Sequence, residues 1–396
     1  MNHEYDLVCL SHLRWSFVFQ RPQHLLSRCA RDRRVFFVEE PIFSDGPNRL
    51  DLTLTEEGVH VVVAHLDQQT PRSEVDAIQA EMLQNLLSEQ NVDRFVLWYY
   101  TPMALPIGDA LKPLAIVYDC MDQLAAFKGA PPALLERERE LLQRADVVFT
   151  GGHSLFEEKR ASHSNIFPFP SSVDVPHFAQ ALAPQSAPED QAHVPHPRLG
   201  FFGVIDERMD LELLAGVAAA RPDWQLVILG PVVKIDEAEL PRHANIHYLG
   251  SKKYGELPRY IAGWDVAILP FARNESTRFI SPTKTPEYLA AGKPVVSTAI
   301  ADVVRPYQAL GLVRIADTVT EFVAACEAAL TEPSAPVRAK ADAYLAQLSW
   351  EKTWREMESH IQATLERQGA TKHLRAARPR ALDAGDEPRI SAVGGQ

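Results

Sequence analysis

The stretch that decides the fold is SPTKTPEYLAAGKPVVST, residues 281–298. An apolar run of strand length, DVAILPF (265–271), precedes it, and a second run, PVVSTAI (294–300), overlaps its end. Such runs are typical of strands that are buried on both faces in a parallel sheet. Between the runs, Pro286 is tolerated only in the first turn of a helix, and Gly292 suits a left-handed cap at its end. The stretch therefore predicts strand, loop, helix and strand in succession.

The first turn of this predicted helix carries two charges. A helix N-terminus at the carboxyl edge of a parallel sheet presents free N–H groups that suit a phosphate, and Lys284 adds a full positive charge there. Glu287 lies about one turn later, and its carboxylate suits the two hydroxyls of a ribose because it only accepts hydrogen bonds. A capped helix with a solvated lysine–glutamate pair explains the same spacing. The segment is a candidate site for a nucleoside diphosphate.

Composition narrows the class of protein. The chain has 396 residues, is 46% hydrophobic and 23% charged, and carries a formal net charge of −12, which disfavours a general nucleic-acid binder. The N-terminus has acidic residues where a signal peptide would be positive, and no apolar run reaches the about 20 residues that span a bilayer. We expect a cytoplasmic protein. A peripheral contact with the inner face of the plasma membrane is compatible with this.

Apolar runs alternate with helical patterns in two series. The first series predicts a βα-repeating domain over residues 1–178, and the second a similar domain over 199–345. Residues 179–198 are rich in Pro, Ala and polar residues, which predicts a linker. An amphipathic helix is predicted up to residue 366, and few large apolar residues follow, so 367–396 are expected to be disordered. Ligands of such sheets bind at the carboxyl ends of the strands, so a cleft between the domains is expected.

Four motifs follow one another in the second domain: GFFGVIDERMDLELL, LVILGP, NIHYLGSKKYGELPRYIAGWDVAILPF and SPTKTPEYLAAGKPVVST. With them, this domain resembles the donor half of the GT-B glycosyltransferases, specifically the group 1 transferases of bacterial cell-surface polysaccharide synthesis. In the first domain, SHLRWSFVFQRPQHLLSRCA, VYDCMDQ and PFPSSVDVPHF resemble transferases of the teichuronic-acid and exopolysaccharide type.

The resemblance implies an α/β fold of two doubly wound Rossmann-like domains that face a cleft, with a C-terminal helix crossing back to the first domain. It implies transfer of a sugar from a nucleoside-diphosphate sugar, of the UDP or GDP type, to a glycan or lipid-linked acceptor. No metal and no further cofactor are expected, because transferases of this fold use protein groups on the leaving diphosphate.

The resemblance also assigns donor-binding residues. Lys284 matches the lysine that binds phosphate in the family, and Glu287 matches the glutamate that binds the donor ribose. Arg208 lies near the position of a basic residue on the diphosphate. The other implied donor contacts are phosphate contacts from Ser281 and Thr283 and base contacts from the turn at Gly250 and Ser251.

Catalysis is less well defined by the resemblance. Many retaining relatives carry a second Glu eight residues before the first, where this chain has Phe279. Retaining relatives also often have a His near the end of the strand AIVYDCMD, and this chain has none there. These departures favour inversion, with Asp122 or Asp119 as the base for the acceptor hydroxyl. Either residue has a structural alternative, as a helix cap or as the partner of an arginine.

The loop after the first predicted strand is the candidate acceptor site. His12 and Arg14 follow that strand, and Trp15 opens an aromatic series with Phe17 and Phe19. Exposed rings there suit a sugar or an isoprenoid tail, whereas buried rings would belong to the core of the domain.

Two other functions are compatible with the same fold. A nucleotide-sugar 2-epimerase would convert the donor without an acceptor. A non-catalytic subunit of the fold would support a polysaccharide assembly, and the missing glutamate at Phe279 makes this conceivable.

Overall fold

In the computed structural model, which describes residues 5–376, the first domain is built on one nine-stranded sheet. Its strands are β1 (Asp6–Leu10), β2 (Val35–Val38), β3 (Ile42–Ser44), β4 (Arg49–Leu54), β5 (His60–Asp67), β6 (Phe95–Tyr99), β7 (Ala115–Cys120), β8 (Val147–Thr150) and β9 (Ile166–Pro168). Their order is β3-β5-β2-β1-β6-β7-β8-β9, with β4 antiparallel to β5 and every other pair parallel. The central strands β1, β2, β6 and β8 are buried throughout, as expected for a sheet that is covered on both faces.

The second domain has a six-stranded parallel sheet in the order β12-β11-β10-β13-β14-β15. Its strands are β10 (Arg198–Phe202), β11 (Gln225–Leu229), β12 (Ile246–Tyr248), β13 (Val266–Leu269), β14 (Val295–Ser297) and β15 (Val313–Ile315). Every strand predicted from an apolar run is present in the two sheets. β3 and β4 were not predicted, because both are largely exposed and lack such a run.

Helices cover the faces of both sheets. They are α1 (Arg21–Cys29), α2 (Val75–Glu89), α3 (Leu105–Gly108), α4 (Leu134–Arg144), α5 (His153–Lys159), α6 (Val175–Ala179), α7 (Glu189–Ala192), α8 (Leu211–Ala220), α9 (Leu257–Ala262), α10 (Lys284–Ala290), α11 (Ala301–Val303), α12 (Val319–Thr331), α13 (Ala335–Leu345) and α14 (Trp350–Ala376). α10 is the helix of the deciding stretch. It begins at Lys284, has Pro286 in its first turn, and is followed by Gly292 with a φ of +73°. This agrees with the prediction.

The structure corrects the linker that sequence analysis placed at residues 179–198. Val173, Phe178 and Val194 are buried in the core of the second domain, so this domain begins before residue 178. Gln191 in α7 is fully buried, and its side-chain oxygen accepts a hydrogen bond from the Trp264 indole at 2.9 Å. The small apolar residues in this proline-rich segment therefore pack against the second sheet and do not form a free linker.

The C-terminal helix α14 crosses back to the first domain, as expected. Trp350, Trp354 and Met357 are buried in the core that also contains β1, and Trp350 stacks on His24 with ring centroids 4.5 Å apart. The helix continues to Ala376, so its predicted end at residue 366 is ten residues too early. The rest of the expected disordered tail lies outside the described residues.

Candidate donor site in the cleft between the domains

The two sheets place the ends of several strands around one cavity of about 190 Å³. The second domain contributes Gly203 after β10, Gly230 after β11 and the first turn of α10. The first domain contributes Asp122 after β7 and the segment 17–21, which leads into α1. The cavity is therefore the crevice at strand carboxyl ends that a parallel α/β sheet predicts. It brings together Asp122, Arg208, Ser251, Ser281, Thr283, Lys284 and Glu287 from the predicted site.

Lys284 reaches into the cavity past a glycine. Gly203 has a φ of +141°, and a Cβ at this position would lie 2.2 Å from Lys284 Cε and 2.7 Å from Nζ. A second glycine supports this close approach, because a Cβ on Gly230 would lie 1.8 Å from the Gly203 carbonyl oxygen. Burial and the charge of Arg208 lower the pKa of Lys284. No carboxylate of residues 5–376 forms an ion pair with the ammonium group, which is the state expected of a cation that serves an anionic ligand.

Glu287 is a buried carboxylate with an unused acceptor. The residue is 4% exposed, and Oε2 has no hydrogen-bond partner within the described chain. Burial raises the pKa of Glu287, while Lys284 and Thr283 lower it. A buried acceptor without a partner is costly, so a ligand hydroxyl is its natural complement.

Tyr254 is a site residue that sequence analysis missed. It lines the same cavity, and its buried hydroxyl has no hydrogen-bond partner among residues 5–376. Burial raises the pKa of Tyr254, and the charge of Glu287 raises it further, which indicates that the two groups are close. The ring is stacked between Phe19 and His177, with centroids 4.5 and 4.2 Å away. No sequence signal singles out this tyrosine, because its role comes from a contact between the two domains.

Asp122 and Arg208 face each other across the cleft from different domains. Burial raises the pKa of Asp122 to about 6, although the charges of Arg208, Arg21 and Lys284 lower it. Arg208 is held by Asp206, with Nε–Oδ1 and Nη2–Oδ2 distances of 2.9 and 2.6 Å. A carboxylate with a pKa near neutrality is suited to take up a proton, and the fixed guanidinium is suited to a phosphate.

Asp119 does not share this position, and its role as a candidate base is wrong in the structure. It is fully buried in β7 and forms a bidentate ion pair with Arg21, with Nε–Oδ2 and Nη2–Oδ1 distances of 2.9 Å. Both carboxylate oxygens are therefore occupied. The arginine-partner alternative holds for this residue, and Asp122 is the carboxylate of the motif that lines the cleft.

The predicted acceptor residues His12, Arg14 and Trp15 do not line the cleft. Arg14 Nη1 contacts Glu39 Oε2 at 2.9 Å, and the Trp15 backbone N–H donates to Glu39 Oε1 at 2.7 Å. The Trp15 ring is 8% exposed and packs edge-on against Phe37. Burial and the charge of Lys234 lower the pKa of His12 to about 4. Arg14 and Trp15 thus hold this part of the loop in the first domain, because the buried Glu39 carboxylate and the Phe37 ring lie within their reach.

The same loop presents Phe17 and Phe19 to the cleft instead. Phe17 is 52% exposed and Phe19 is 37% exposed, and both line the cavity.

Of the two residues predicted to form the base-binding turn, only one lines the cavity. Ser251 lines the cavity, whereas Gly250 has a φ of +70° and its carbonyl accepts the Gly230 N–H at 2.9 Å. Gly250 thus shapes the turn without lining the cavity.

Within residues 5–376, no group of three or more His, Cys, Asp or Glu side chains is arranged to hold a metal ion. In the same part of the chain, no helix is long and apolar enough to cross a membrane.

Comparison with known proteins agrees with this architecture. Residues 196–332 match the family described as glycosyl transferases group 1. A relative from Bacillus subtilis (strain 168), provisionally named teichuronic acid biosynthesis glycosyltransferase TuaH, is 28% identical over 260 residues. That alignment covers 61% of this chain and 64% of the relative.

Solved structures align over nearly the whole chain. Sucrose-phosphate synthase from Thermosynechococcus elongatus has a TM-score of 0.67 at 14% identity and covers 94% of this chain and 100% of its own. HepE from Anabaena, in complex with UDP and glucose, has a TM-score of 0.64 at 14% identity, with 90% and 99% covered. These likenesses concern the fold. The second domain therefore matches the group 1 glycosyltransferases, and the whole chain has the GT-B fold of these structures.

Proposed function

We propose that the protein transfers a sugar from a uridine-diphosphate sugar to a hydroxyl of a glycan or lipid-linked acceptor in bacterial surface-polysaccharide synthesis. The observation that carries the proposal is the pairing of two groups in one cleft. Within residues 5–376, the Lys284 ammonium group has no ion-pair partner and the buried Glu287 Oε2 has no hydrogen-bond partner. Lys284 would bind the diphosphate, and Glu287 would bind the ribose.

The choice of uridine diphosphate rests on relatives. The HepE structure contains UDP and glucose, and an Escherichia coli trehalose-6-phosphate structure with the same fold contains UDP-2-fluoro glucose. In this chain, Ser251 and Tyr254 line the same cavity as Glu287 and are the proposed neighbours of the nucleoside. The proposed donor site needs no metal, because Lys284 and Arg208 supply positive charge for the leaving diphosphate.

Asp122 is the proposed proton acceptor of the transfer. The acceptor oxygen forms a bond to the anomeric carbon of the sugar, and its proton passes to the Asp122 carboxylate. The bond from the anomeric carbon to the diphosphate oxygen breaks, and UDP leaves with the electron pair. With a pKa of about 6, the Asp122 carboxyl group is ionised at neutral pH and can accept this proton. Attack from the face opposite the leaving group would invert the anomeric carbon.

The acceptor side of the cleft suits a ring or an apolar chain. Phe17 and Phe19 are large, partly exposed and on the first domain, opposite the proposed donor site. Sugars and isoprenoid tails both present apolar surface that packs against aromatic rings. The name of the Bacillus subtilis relative supports an acceptor from cell-surface polysaccharide synthesis.

We also propose a peripheral contact with the membrane surface, where a lipid-linked acceptor would reside. Leu52 and Leu54, two residues apart on the same face of strand β4, are 37% and 62% exposed. Co-sedimentation with vesicles that contain anionic lipid tests this contact. Replacing Leu54 with Glu should weaken the binding at least about five-fold, because a buried Leu contributes about 1.5–3 kcal/mol. Equal sedimentation of the variant and the original protein would contradict the proposed surface.

A nucleotide panel tests the donor site. Thermal-shift and calorimetric titrations with UDP, GDP, ADP, CMP and dTDP should show tightest binding of UDP. Lys284→Met should weaken this binding about 10- to 100-fold, because a charge-assisted hydrogen bond contributes about 1.5–3 kcal/mol. Lys340→Met, on an exposed lysine of the same domain, is the matched control.

Two results would count against the proposal. If none of the nucleotides binds saturably, the non-catalytic subunit becomes the better interpretation. Incubation with a UDP-sugar and no acceptor separates the epimerase, since an epimerised sugar nucleotide would be its product. Release of UDP that depends on an added acceptor glycan is the result expected of a transferase.

A further inference from the structure

A second cavity, of about 210 Å³, lies where the chain passes between the domains. We call it the hinge cavity. The segment 168–172 lines it at the first passage, and 347–353 lines it at the return into α14. The segment 302–307 of the second domain and His153 at the start of α5 complete its walls. The donor-site assignment does not use this space.

The hinge cavity contains buried polar groups that the described chain leaves unpaired. Ser172 is 2% exposed, and its hydroxyl has no hydrogen-bond partner. Asp302 is 6% exposed; Oδ1 accepts the Ser154 backbone N–H at 2.9 Å, and Oδ2 has no partner. A Cβ on Gly152 would lie 2.0 Å from this Oδ2, so only a glycine allows the carboxylate to sit here. Leaving such groups unpaired is costly, and a ligand that hydrogen-bonds them removes the cost.

The charges of the lining favour an uncharged ligand. Arg305 and Lys352 are positive, and Asp302 and Glu356 are negative, so the charges of these four lining side chains cancel. The donor cleft differs, because Lys284 there forms no ion pair with any residue that the structure describes. A nucleotide or sugar phosphate would gain little at the hinge cavity, whereas a group with many hydroxyls would meet both donors and acceptors.

Other lining groups fit a sugar ring. Tyr307 and Tyr344 form an edge-to-face pair, with centroids 5.4 Å apart, on one side of the hinge cavity. Their rings offer an apolar surface of the kind that packs against a pyranose. Ser171 and Ser281 line both the hinge cavity and the donor cleft, so the two spaces share a wall.

We propose that the hinge cavity is a second carbohydrate-binding site that takes one uncharged sugar unit. The unit is either a free sugar or one residue of a longer glycan. Because both domains line the hinge cavity, a bound sugar favours the arrangement of the domains in which these walls meet. Binding of a sugar in the hinge cavity thereby changes the affinity of the donor cleft for its ligand, because Ser171 and Ser281 line both spaces.

Hydrogen–deuterium exchange locates the site independently of catalysis. The probes are the methyl glycosides of glucose, galactose and N-acetylglucosamine, with maltotriose as the oligosaccharide. Glucose 6-phosphate is the charged comparator. At least one neutral probe should protect residues 301–308 and 347–353 in a saturable manner. Tighter binding of maltotriose than of every monosaccharide would identify a glycan residue as the occupant, and the reverse would identify a free sugar.

Three variants assign the protection to the hinge cavity. Thr353→Phe fills the cavity from α14 and should abolish the protection, whereas Arg355→Phe, two residues along on the solvent face, should not. Asp302→Asn keeps the shape of the side chain and should weaken binding about ten-fold, because hydrogen bonds to a charged group are the stronger ones. If Thr353→Phe lowers the melting temperature, Asp302→Asn decides the question.

The outcomes separate this proposal from the proposed function. Lys284→Met should lose UDP binding and keep the sugar-dependent protection. The proposal is overturned if no neutral probe protects these segments, if glucose 6-phosphate binds more tightly than every neutral probe, or if Asp302→Asn leaves the affinity unchanged. Any of these results would leave the donor site unaffected.

Discussion

Replacing Glu287 with Gln should remove most of the preference of the protein for UDP over 2′-deoxy-UDP. The side chain is 4% exposed, and its Oε2 has no hydrogen-bond partner in the described chain, so a ribose hydroxyl is the group expected to satisfy it. A hydrogen bond to a charged group contributes about 1.5–3 kcal/mol, which corresponds to about 10- to 150-fold in the dissociation constant. The original protein should therefore bind UDP at least about 10-fold more tightly than the deoxy compound.

The glutamine variant keeps the shape of the side chain and loses its charge. A neutral hydrogen bond contributes only about 0.5–1.5 kcal/mol. The ratio of the two dissociation constants should thus shrink by about five-fold or more, a coupling of about 1 kcal/mol. The ratio is a better measure than the affinity for UDP alone. Removing the Glu287 charge also leaves Lys284 more attractive to the diphosphate, which opposes the loss.

Isothermal titration calorimetry at about pH 8 is the appropriate assay. Burial raises the pKa of Glu287, so the carboxylate must be measured above that range, where it is ionised. Glu275→Gln is the matched control, because Glu275 is on the loop before α10 and its side chain is 79% exposed. The same UDP to deoxy-UDP ratio in the Glu287→Gln variant and the original protein would refute the ribose contact.

Three further predictions follow from the geometry of the cleft and of its supporting ion pair. Asp122→Asn should lower kcat about 10²- to 10⁴-fold. In the original protein, kcat/KM should fall about ten-fold per pH unit below about pH 6, because the protonated carboxyl group cannot accept a proton. If the variant shows the same fall of kcat/KM at low pH, Asp122 is not the titrating group. Asp119→Ala should lower the free energy of unfolding by about 3–5 kcal/mol, because Arg21 would stay buried without its partner. Urea denaturation measures this, Arg21→Met in the same chain should recover part of the loss, and a loss below about 1 kcal/mol would contradict the reasoning. Gly203→Ala should weaken UDP binding at least about ten-fold, because the new Cβ would lie 2.2 Å from Lys284 Cε and displace the ammonium group of that lysine. An unchanged affinity in calorimetry would show that the site does not need this glycine.

The predictable parts of the fold are those with a local signature. The runs that became β10, β11 and β13 are continuous and apolar, and a parallel sheet with two covered faces requires that pattern. β4, at the exposed edge of the first sheet, alternates polar and apolar residues and has no continuous apolar run. The prediction rested on continuous runs and therefore missed this strand. The prediction of a linker was wrong for a related reason. Proline-rich segments resemble loops in sequence, but Phe178 and Val194 are buried here.

The candidate site was predictable in its second-domain part and less so elsewhere. Lys284 and Glu287 are three residues apart on one short helix, so local geometry already places both side chains near one another. The acceptor side of the cleft depends on contacts between residues that are far apart in sequence. Arg14 and Trp15 form hydrogen bonds with Glu39, which is 25 and 24 residues away in sequence. Phe17 and Phe19 of the same loop line the cleft instead.

The sequence by itself determined the two largely parallel sheets, the helix that carries Lys284 and Glu287, and the edge of the sheet at which we propose that a ligand binds. These features follow from side-chain periodicity and from the restrictions on Pro and Gly, which act within a few residues. Only the tertiary structure decided between the two aspartates that end the strand AIVYDCMD. Arg21 is 98 residues from Asp119 in sequence and neutralises it in the core, while Asp122 is left in the cleft. The packing of elements that are distant in sequence decides which residues form such pairs, because a buried charge is stable only beside a counterion.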